Sequence, residues 1–169
     1  LIAHHEKICP HLHIPLQSGD TEVLSKMRRN YNAKQYEHIV RRAADKISPL
    51  GLGADIIVGF PGESEESFER TRRLIDELPF SYLHVFSYSP RSGTEAHNFR
   101  NNIKNITKKE RNLTLINLAK EKAHLFHKSF IGKKVTVLVE ERKQANGVLR
   151  GHSEHYIPVR IDTEDSLQN

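Results

Sequence analysis

Cysteine is almost absent: Cys9 stands alone among 169 residues. One thiol cannot close an internal disulfide, complete a four-thiolate zinc site or hold an iron–sulfur cluster, so any such chemistry must come from outside these residues. Long apolar runs are missing too. No window approaches the ~18 consecutive apolar residues of a bilayer-crossing helix. The polar start His4-His5-Glu6-Lys7 leads into no apolar stretch of the secretory kind. The expectation is a cytoplasmic protein with no membrane partner. Methionine occurs once, at Met27, and the chain opens on Leu1, which reads as a portion of a longer polypeptide. Internal repeats, low-complexity tracts, a Walker-type phosphate loop, a nucleophile elbow and a Ser/His/Asp order are also lacking. No self-contained catalytic device is visible.

What is present is a globular balance, 37 % hydrophobic and 28 % charged, long enough for one ordinary domain or two small ones. Charge is uneven along the chain. Residues 1–99 carry 12 Lys+Arg against 13 Asp+Glu, residues 100–134 carry 10 against 2, and residues 135–169 carry 4 against 6. The basic excess therefore lies in one middle stretch, which can attract a polyanion or simply form a lysine-rich solvated helix face.

The first hundred residues alternate short apolar runs with helical periods. His11-Leu12-His13-Ile14-Pro15-Leu16 reads as a strand, broken by the turn residues Gln17-Ser18-Gly19-Asp20. Asp20 or Thr21 can cap a short helix that turns Val23, Leu24 and Met27 inward. Asn32 opens a second helix, with Gln35 at the capping-box position and Tyr36, Val40, Ala43 and Ile47 as its stripe. Residues 54–58 follow as a strand whose β-branched run after Asp55 suits a parallel strand covered on both faces. Gly59-Phe60-Pro61-Gly62 then turns the chain into a helix begun at Ser64, with Phe68, Thr71, Ile75 and Leu78 inward, and residues 82–88 make a third strand. This order forces right-handed parallel crossovers, and parallel sheets gather ligands at the carboxyl ends of their strands. Loops 17–20, 59–63 and 89–94 are expected on one rim.

The basic stretch reads mainly as one helix. Thr107-Lys108-Lys109-Glu110 has the form of a capping box, and Ile116, Ala119, Ala123, Phe126 and Phe130 make an inner stripe. Lys108, Lys109, Arg111, Lys120, Lys122 and Lys128 are left mostly to the other side. After Gly132 the pattern turns to β, with short strands at 135–139, 148–150 and 156–159 and a hairpin signal at Asn146-Gly147. Three strands are too few to close a barrel.

Several side chains carry two readings each. The turn 59–63 can bring main-chain N–H groups close to a ligand, with Glu63 accepting from hydroxyl or amino groups, yet glycine at such turns also serves geometry alone. Gln17 and Ser18 suit hydrogen bonds to a sugar or an amino-acid moiety and are equally ordinary turn residues. Arg28 and Arg29 can clamp a carboxylate or phosphate, or be solvated. Among 11 histidines, His11 and His13 share one side of an interior strand, but no third ligand stands at metal spacing. They read as packed, hydrogen-bonded rings, and Cys9 as a small buried residue.

Four strings carry more together than apart. His13-Ile14-Pro15-Leu16-Gln17-Ser18-Gly19, Met27-Arg28-Arg29-Asn30-Tyr31, Asp55-Ile56-Ile57-Val58-Gly59-Phe60-Pro61-Gly62-Glu63 and Phe86-Ser87-Tyr88-Ser89-Pro90-Arg91-Ser92-Gly93-Thr94 resemble, in order and spacing, the radical S-adenosylmethionine methylthiotransferases. Gly132-Lys133-Lys134-Val135 through Gly151-His152-Ser153-Glu154-His155-Tyr156-Ile157-Pro158-Val159 looks like the start of the TRAM module that follows the radical domain in that family. Ser18-Gly19 and Leu83-His84-Val85-Phe86 look most like the branch acting on threonylcarbamoyladenosine beside the tRNA anticodon. The branches acting on isopentenyladenosine in tRNA and on a ribosomal-protein aspartate are the alternatives, as is a noncatalytic RNA-binding module.

The resemblance implies an α/β fold: the C-terminal half of a partial TIM-type (βα)6 barrel over residues 1–106, a basic connecting helix over 107–131 and a truncated TRAM-like β module over 132–169. It implies S-adenosylmethionine as cofactor and two [4Fe–4S] clusters in the full-length parent, with every cluster cysteine outside this chain, so the segment alone is expected to be inactive. By analogy Gln17, Ser18, Arg29, Gly59, Phe60, Pro61, Gly62, Glu63 and Tyr88 border the cofactor. No catalytic residue and no metal ligand is identifiable within the chain. Lys108, Lys109, Arg111, Lys120, Lys122, Lys128, Lys133 and Lys134 are expected to face tRNA at its anticodon stem-loop, with an electron-donor protein as a second partner. The implied chemistry is hydrogen abstraction by a 5′-deoxyadenosyl radical, after which sulfur and a methyl group end up at C2 of the nucleoside.

Overall fold

The first three helices begin where the sequence supplies a cap. Asp20 accepts a hydrogen bond from the Val23 amide at 2.8 Å and opens α1 (Thr21–Lys26). Asn32 and Gln35 exchange side-chain and backbone hydrogen bonds, both 2.9 Å, at the head of α2 (Ala33–Lys46). Ser64 accepts from the Ser67 amide and opens α3 (Glu65–Glu77). Each cap satisfies an amide that the first turn of a helix leaves without a partner. The fourth helix, α4 (Asn105–Lys128), has Lys104 as its cap residue with no side-chain cap bond. The capping box expected at Thr107 is therefore absent, because Thr107 already lies inside the helix.

The computed structural model describes residues 2–5, 7–99, 102–141 and 148–162, so the hairpin signal at Asn146-Gly147 lies outside the described residues. Three strands, β1 (His11–His13), β2 (Gly51–Val58) and β3 (Tyr82–Ser87), run parallel in the order β1-β2-β3. The first stops short of Leu16, since Pro15 has no N–H for the ladder, and pairing resumes only at a lone bridge between Gln17 and Ile56.

Alternation along the strands sorts their two faces. Leu52, Ala54, Ile56 and Val58 are fully buried and share one core with Tyr36 and Val40 of α2, Phe68, Leu74 and Ile75 of α3, and Leu115 of α4. Burial of a side chain such as Ile56 contributes about 1.5–3 kcal/mol. His11, His13, Asp55, Ile57, Tyr82, His84 and Phe86 occupy the opposite face, which is half-buried or open. The middle strand is thus covered on one face rather than two, with Asp55 and Ile57 as its uncovered positions. His11 and His13 stand at the edge of the described sheet rather than in an interior strand. Cys9, expected to be buried, is exposed in the turn before β1.

Helix α4 lies against β3 and α3. Its buried residues are Lys108, Arg111, Leu115 and Ala119, so Lys108 and Arg111 point inward where the apolar periodicity placed them outside. Beyond it, β4 (Val137–Glu141), β5 (Val148–Ser153) and β6 (Pro158–Asp162) form a small antiparallel sheet. That sheet docks through residues 155 and 156. A Cβ on Gly51 would fall 2.2 Å from the His155 carbonyl oxygen, so only glycine permits this approach. The Tyr156 ring lies 4.7 Å from His11 and 5.4 Å from Tyr82. No helix among the described residues is long and apolar enough to cross a membrane. Parallel strands with helices, then a helix and a small sheet, is the architecture expected of the sequence; the open second face of the parallel sheet is not.

Candidate active site at the carboxyl ends of the parallel strands

A cleft of about 780 Å³ opens where the three parallel strands end. That is the end where open parallel sheets bind ligands, and the volume falls in the range of small-molecule sites. Gln17 enters it after β1, Asp55 and Ile57 from within β2, Phe60 after β2, and Phe86 and Tyr88 from β3 and its exit, while Arg28 and Arg29 stand on the rim.

Gln17 is held firmly. Its N–H donates to the Asp55 carbonyl at 2.8 Å and its own carbonyl accepts from Ile57 at 2.9 Å, with φ at 66°. A non-glycine residue in the left-handed region stores strain that the surroundings must hold. Arg28, also left-handed at φ 57°, reaches across the rim to Glu95. Phe60 meets the Tyr88 ring edge-on at 5.1 Å. The Tyr88 hydroxyl is buried without a partner among the described residues, an unsatisfied polar atom of the kind that a bound molecule completes.

Glu63 faces away from the cleft. Its Oε2 accepts from the Gly59 amide at 2.8 Å and from Arg111 at 2.7 Å, and Arg111 also donates to the Glu63 carbonyl and to Glu65. Burial pushes the Glu63 carboxyl above its ordinary range, while the Gly59 amide and Arg111 pull it back. Glu63 is 2 % exposed and does not line the cleft, and its Oε2 is shared by both neighbours, so here it ties the turn to α4. Behind the same wall the Lys108 stem presses on Gly59. A Cβ there would lie 2.4 Å from Lys108 Cγ, and φ at +73° adds a second reason for glycine. Lys108 Nζ donates to the Tyr88 carbonyl at 3.4 Å.

Of the residues expected to border a cofactor, Gln17, Arg29, Phe60 and Tyr88 line the cleft. Ser18 is fully buried, with its hydroxyl 3.3 Å from that of Thr71. Gly59, Pro61, Gly62 and Glu63 form the turn behind the wall. Of the expected RNA-facing residues, Lys109, Lys120, Lys128, Lys133 and Lys134 are exposed. Lys108 and Arg111 are buried, and Lys122 is half-buried and donates to the Asp76 carbonyl at 2.7 Å.

Arg28, read as one half of an arginine clamp, also lines the cleft, as do Asp55, Ile57 and Phe86, which sequence reading did not place there. For Asp55 a signal existed: a lone carboxylate inside an otherwise apolar strand. Asp55 Oδ1 lies 3.2 Å from His13 Nε2 and 3.8 Å from His84 Nδ1. The Tyr82 hydroxyl lies 2.9 Å from His11 Nε2 and 3.0 Å from His13 Nδ1. The two strand histidines are hydrogen-bonded, as expected.

Guanidinium groups on the rim, a carboxylate in the floor and aromatic walls at Phe60, Phe86 and Tyr88 fit a nucleoside carrying a charged tail. An iron–sulfur cluster is not fitted by these residues. Among the described residues no group of three His, Cys, Asp or Glu converges on a metal position, and Cys9 stands alone.

Residues 2–75 match the radical SAM superfamily. A tRNA-2-methylthio-N(6)-dimethylallyladenosine synthase of Bartonella tribocorum is 36 % identical over 169 residues, covering 98 % of this chain and 37 % of that protein. A threonylcarbamoyladenosine tRNA methylthiotransferase of Rickettsia prowazekii is 41 % identical over 162 residues, covering 96 % of this chain and 37 % of that protein. One of the latter kind from Thermotoga maritima is 38 % identical over 151 residues, 89 % of this chain and 35 % of that protein. The chain is homologous to the radical SAM tRNA methylthiotransferases. It spans about a third of the length of the curated methylthiotransferases it matches, and both kinds stand at comparable identity.

Proposed function

We propose that the chain supplies the C-terminal half of the radical domain (residues 1–106), a connecting helix (107–131) and a TRAM-like module (132–169) of a cytoplasmic tRNA methylthiotransferase, and that its nucleoside is threonylcarbamoyladenosine. The observation that carries this reading is the meeting of Gln17, Phe60 and Tyr88, from three separate motifs, in one cleft at the strand ends. Arg28 and Arg29 would hold the cofactor's carboxylate, Gln17 its hydroxyl or amino groups, and Phe60 and Tyr88 would shelter its purine. S-adenosylmethionine, when bound, supplies a one-electron route to hydrogen abstraction. The side chains of this chain orient the reacting groups and exclude water. Cluster ligands and electron entry belong, on this reading, to other residues and to an electron-donor protein.

Ser18-Gly19 and Leu83-His84-Val85-Phe86 support the threonylcarbamoyl branch. Exposed Lys109, Lys120, Lys128, Lys133 and Lys134 support contact with the phosphates of an anticodon stem-loop. Mass spectrometry of tRNA nucleosides and of ribosomal protein from cells lacking the gene tests the reading. The expected result is selective loss of the 2-methylthio form of threonylcarbamoyladenosine. Loss of the dimethylallyl product instead moves the chain to the other tRNA branch, and loss of an aspartate modification moves it to the ribosomal one. If all three persist, the enzyme reading fails and a noncatalytic RNA-binding module replaces it.

A further inference from the structure

The sheet face that the helices leave uncovered carries a chain of four polar side chains ending in the cleft. Its last member is Asp55, whose Oδ1 lies 3.2 Å from His13 Nε2. The contact is an ion-pair approach rather than an aligned hydrogen bond, and a carboxylate, which offers acceptors only, favours a proton on the ring nitrogen nearest to it, Nε2 of His13. In a neutral imidazole the other nitrogen is then an acceptor, so the Tyr82 hydroxyl, 3.0 Å from Nδ1, donates to His13. With its proton committed, the Tyr82 oxygen accepts from His11 Nε2–H at 2.9 Å. Every donor in the chain points toward the cleft. Burial and the Tyr156 and Asp55 charges push the Tyr82 hydroxyl up to about 12, which keeps its proton in place. Burial and then His13 lower His11, which favours the neutral ring. Asp55 lines the cleft, and its Oδ2 receives no hydrogen bond among the described residues.

The geometry points to Asp55 as a ligand-contacting acceptor, aimed by His13, Tyr82 and His11, that takes an N–H or O–H donor of a nucleoside whose anionic end lies at Arg28 and Arg29. The ligand class rests on the methylthiotransferase reading, under which the nucleoside is either the cofactor or the RNA substrate. His13 and Tyr82 are positioning residues: His13 flanks the Asp55 carboxylate on its Oδ1 side, and Tyr82 holds the His13 ring.

Two measurements on the full chain test this. Long-range proton–nitrogen spectra of the imidazoles are expected to show His13 as the Nε2–H tautomer. A ring protonated at Nδ1 overturns the proposed polarity. Calorimetric titration with S-adenosylmethionine and, separately, with an adenosine-containing anticodon stem-loop RNA reads the ligand. Asp55→Asn is expected to weaken at least one of the two by about tenfold, the usual scale for a hydrogen bond to a charged group. His13→Ala is expected to weaken the same ligand, and His13→Gln, which keeps a donor for Asp55, to restore it to within about twofold. Loss toward the cofactor alone or toward the RNA alone supports the inference and names the source. Unchanged binding of both by Asp55→Asn overturns it and leaves the enzyme reading standing. A wild type that binds neither overturns the inference and leaves the enzyme reading, which places the cluster ligands in other residues, standing.

Discussion

In the parallel sheet Leu52, Ala54, Ile56 and Val58 all lie within a core shared with three helices, whereas in the antiparallel sheet Val148 and Leu149 are the buried apolar residues among those described and Leu138 stays 65 % exposed. Interior packing of its own fixes the first sheet. The second leans on a seam where His155 and Tyr156 meet Gly51, His11 and Tyr82. The cleft belongs to the self-supporting half, so its geometry is expected to outlast damage to the small sheet, while the reverse does not hold.

Removal of Arg111 strikes the self-supporting half hardest. Arg111→Ala strands a carboxylate that is 2 % exposed, at an expected cost of about 3–5 kcal/mol in denaturant unfolding. Arg111→Lys should recover only part of this, because an ammonium cannot reproduce bonds to Glu63 and Glu65 together. A cost near zero would mean that the core tolerates the lone carboxylate, and the contrast between the halves would weaken.

Gly51→Ala drives a methyl group into the seam. It should cost about 1–3 kcal/mol and appear as early amide exchange in β5, with β2 still protected. Simultaneous loss of both sheets would show that they unfold as one unit.

Acid should produce the smallest effect, and at the seam first. His155 and His127 line the hollow between α4 and the small sheet, and burial lowers both, as it lowers His11. Since the unfolded chain then binds more protons just below the ordinary imidazole value of 6.5, stability present above that pH is lost as pH falls through it. The urea midpoint followed by a probe in the small sheet should drop between pH 7.5 and 5.5. A flat profile would remove these rings from the seam.

The caps at Asp20, Asn32 and Ser64 and the strand–helix order were readable because each rests on residues a few positions apart. The inner face of α4 was not. Arg111 and Lys108 look solvated on a helical projection, and their partners Glu63 and Tyr88 lie far away in the chain. Long aliphatic stems let both side chains fill an apolar seam while keeping a charged end satisfied, which defeats a stripe drawn from apolar residues alone. Glu63 shows the same blind spot from the other side: its motif position was visible, but its direction depended on that arginine. Gln17 and Phe60 were legible as members of one rim because parallel topology brings strand ends together, whereas Tyr88 was placed beside them by the resemblance. Asp55 needed the cross-strand register that sets His84 opposite it and His13 within reach.

The bond from Gly59 through Glu63 to Arg111 also has a mechanical meaning. Helix and pocket wall are riveted at a buried joint, with the Lys108 stem wedged beside it. Any load gripping the outer surface of α4 is transmitted to the backbone behind Phe60 instead of dissipating in a loose connector.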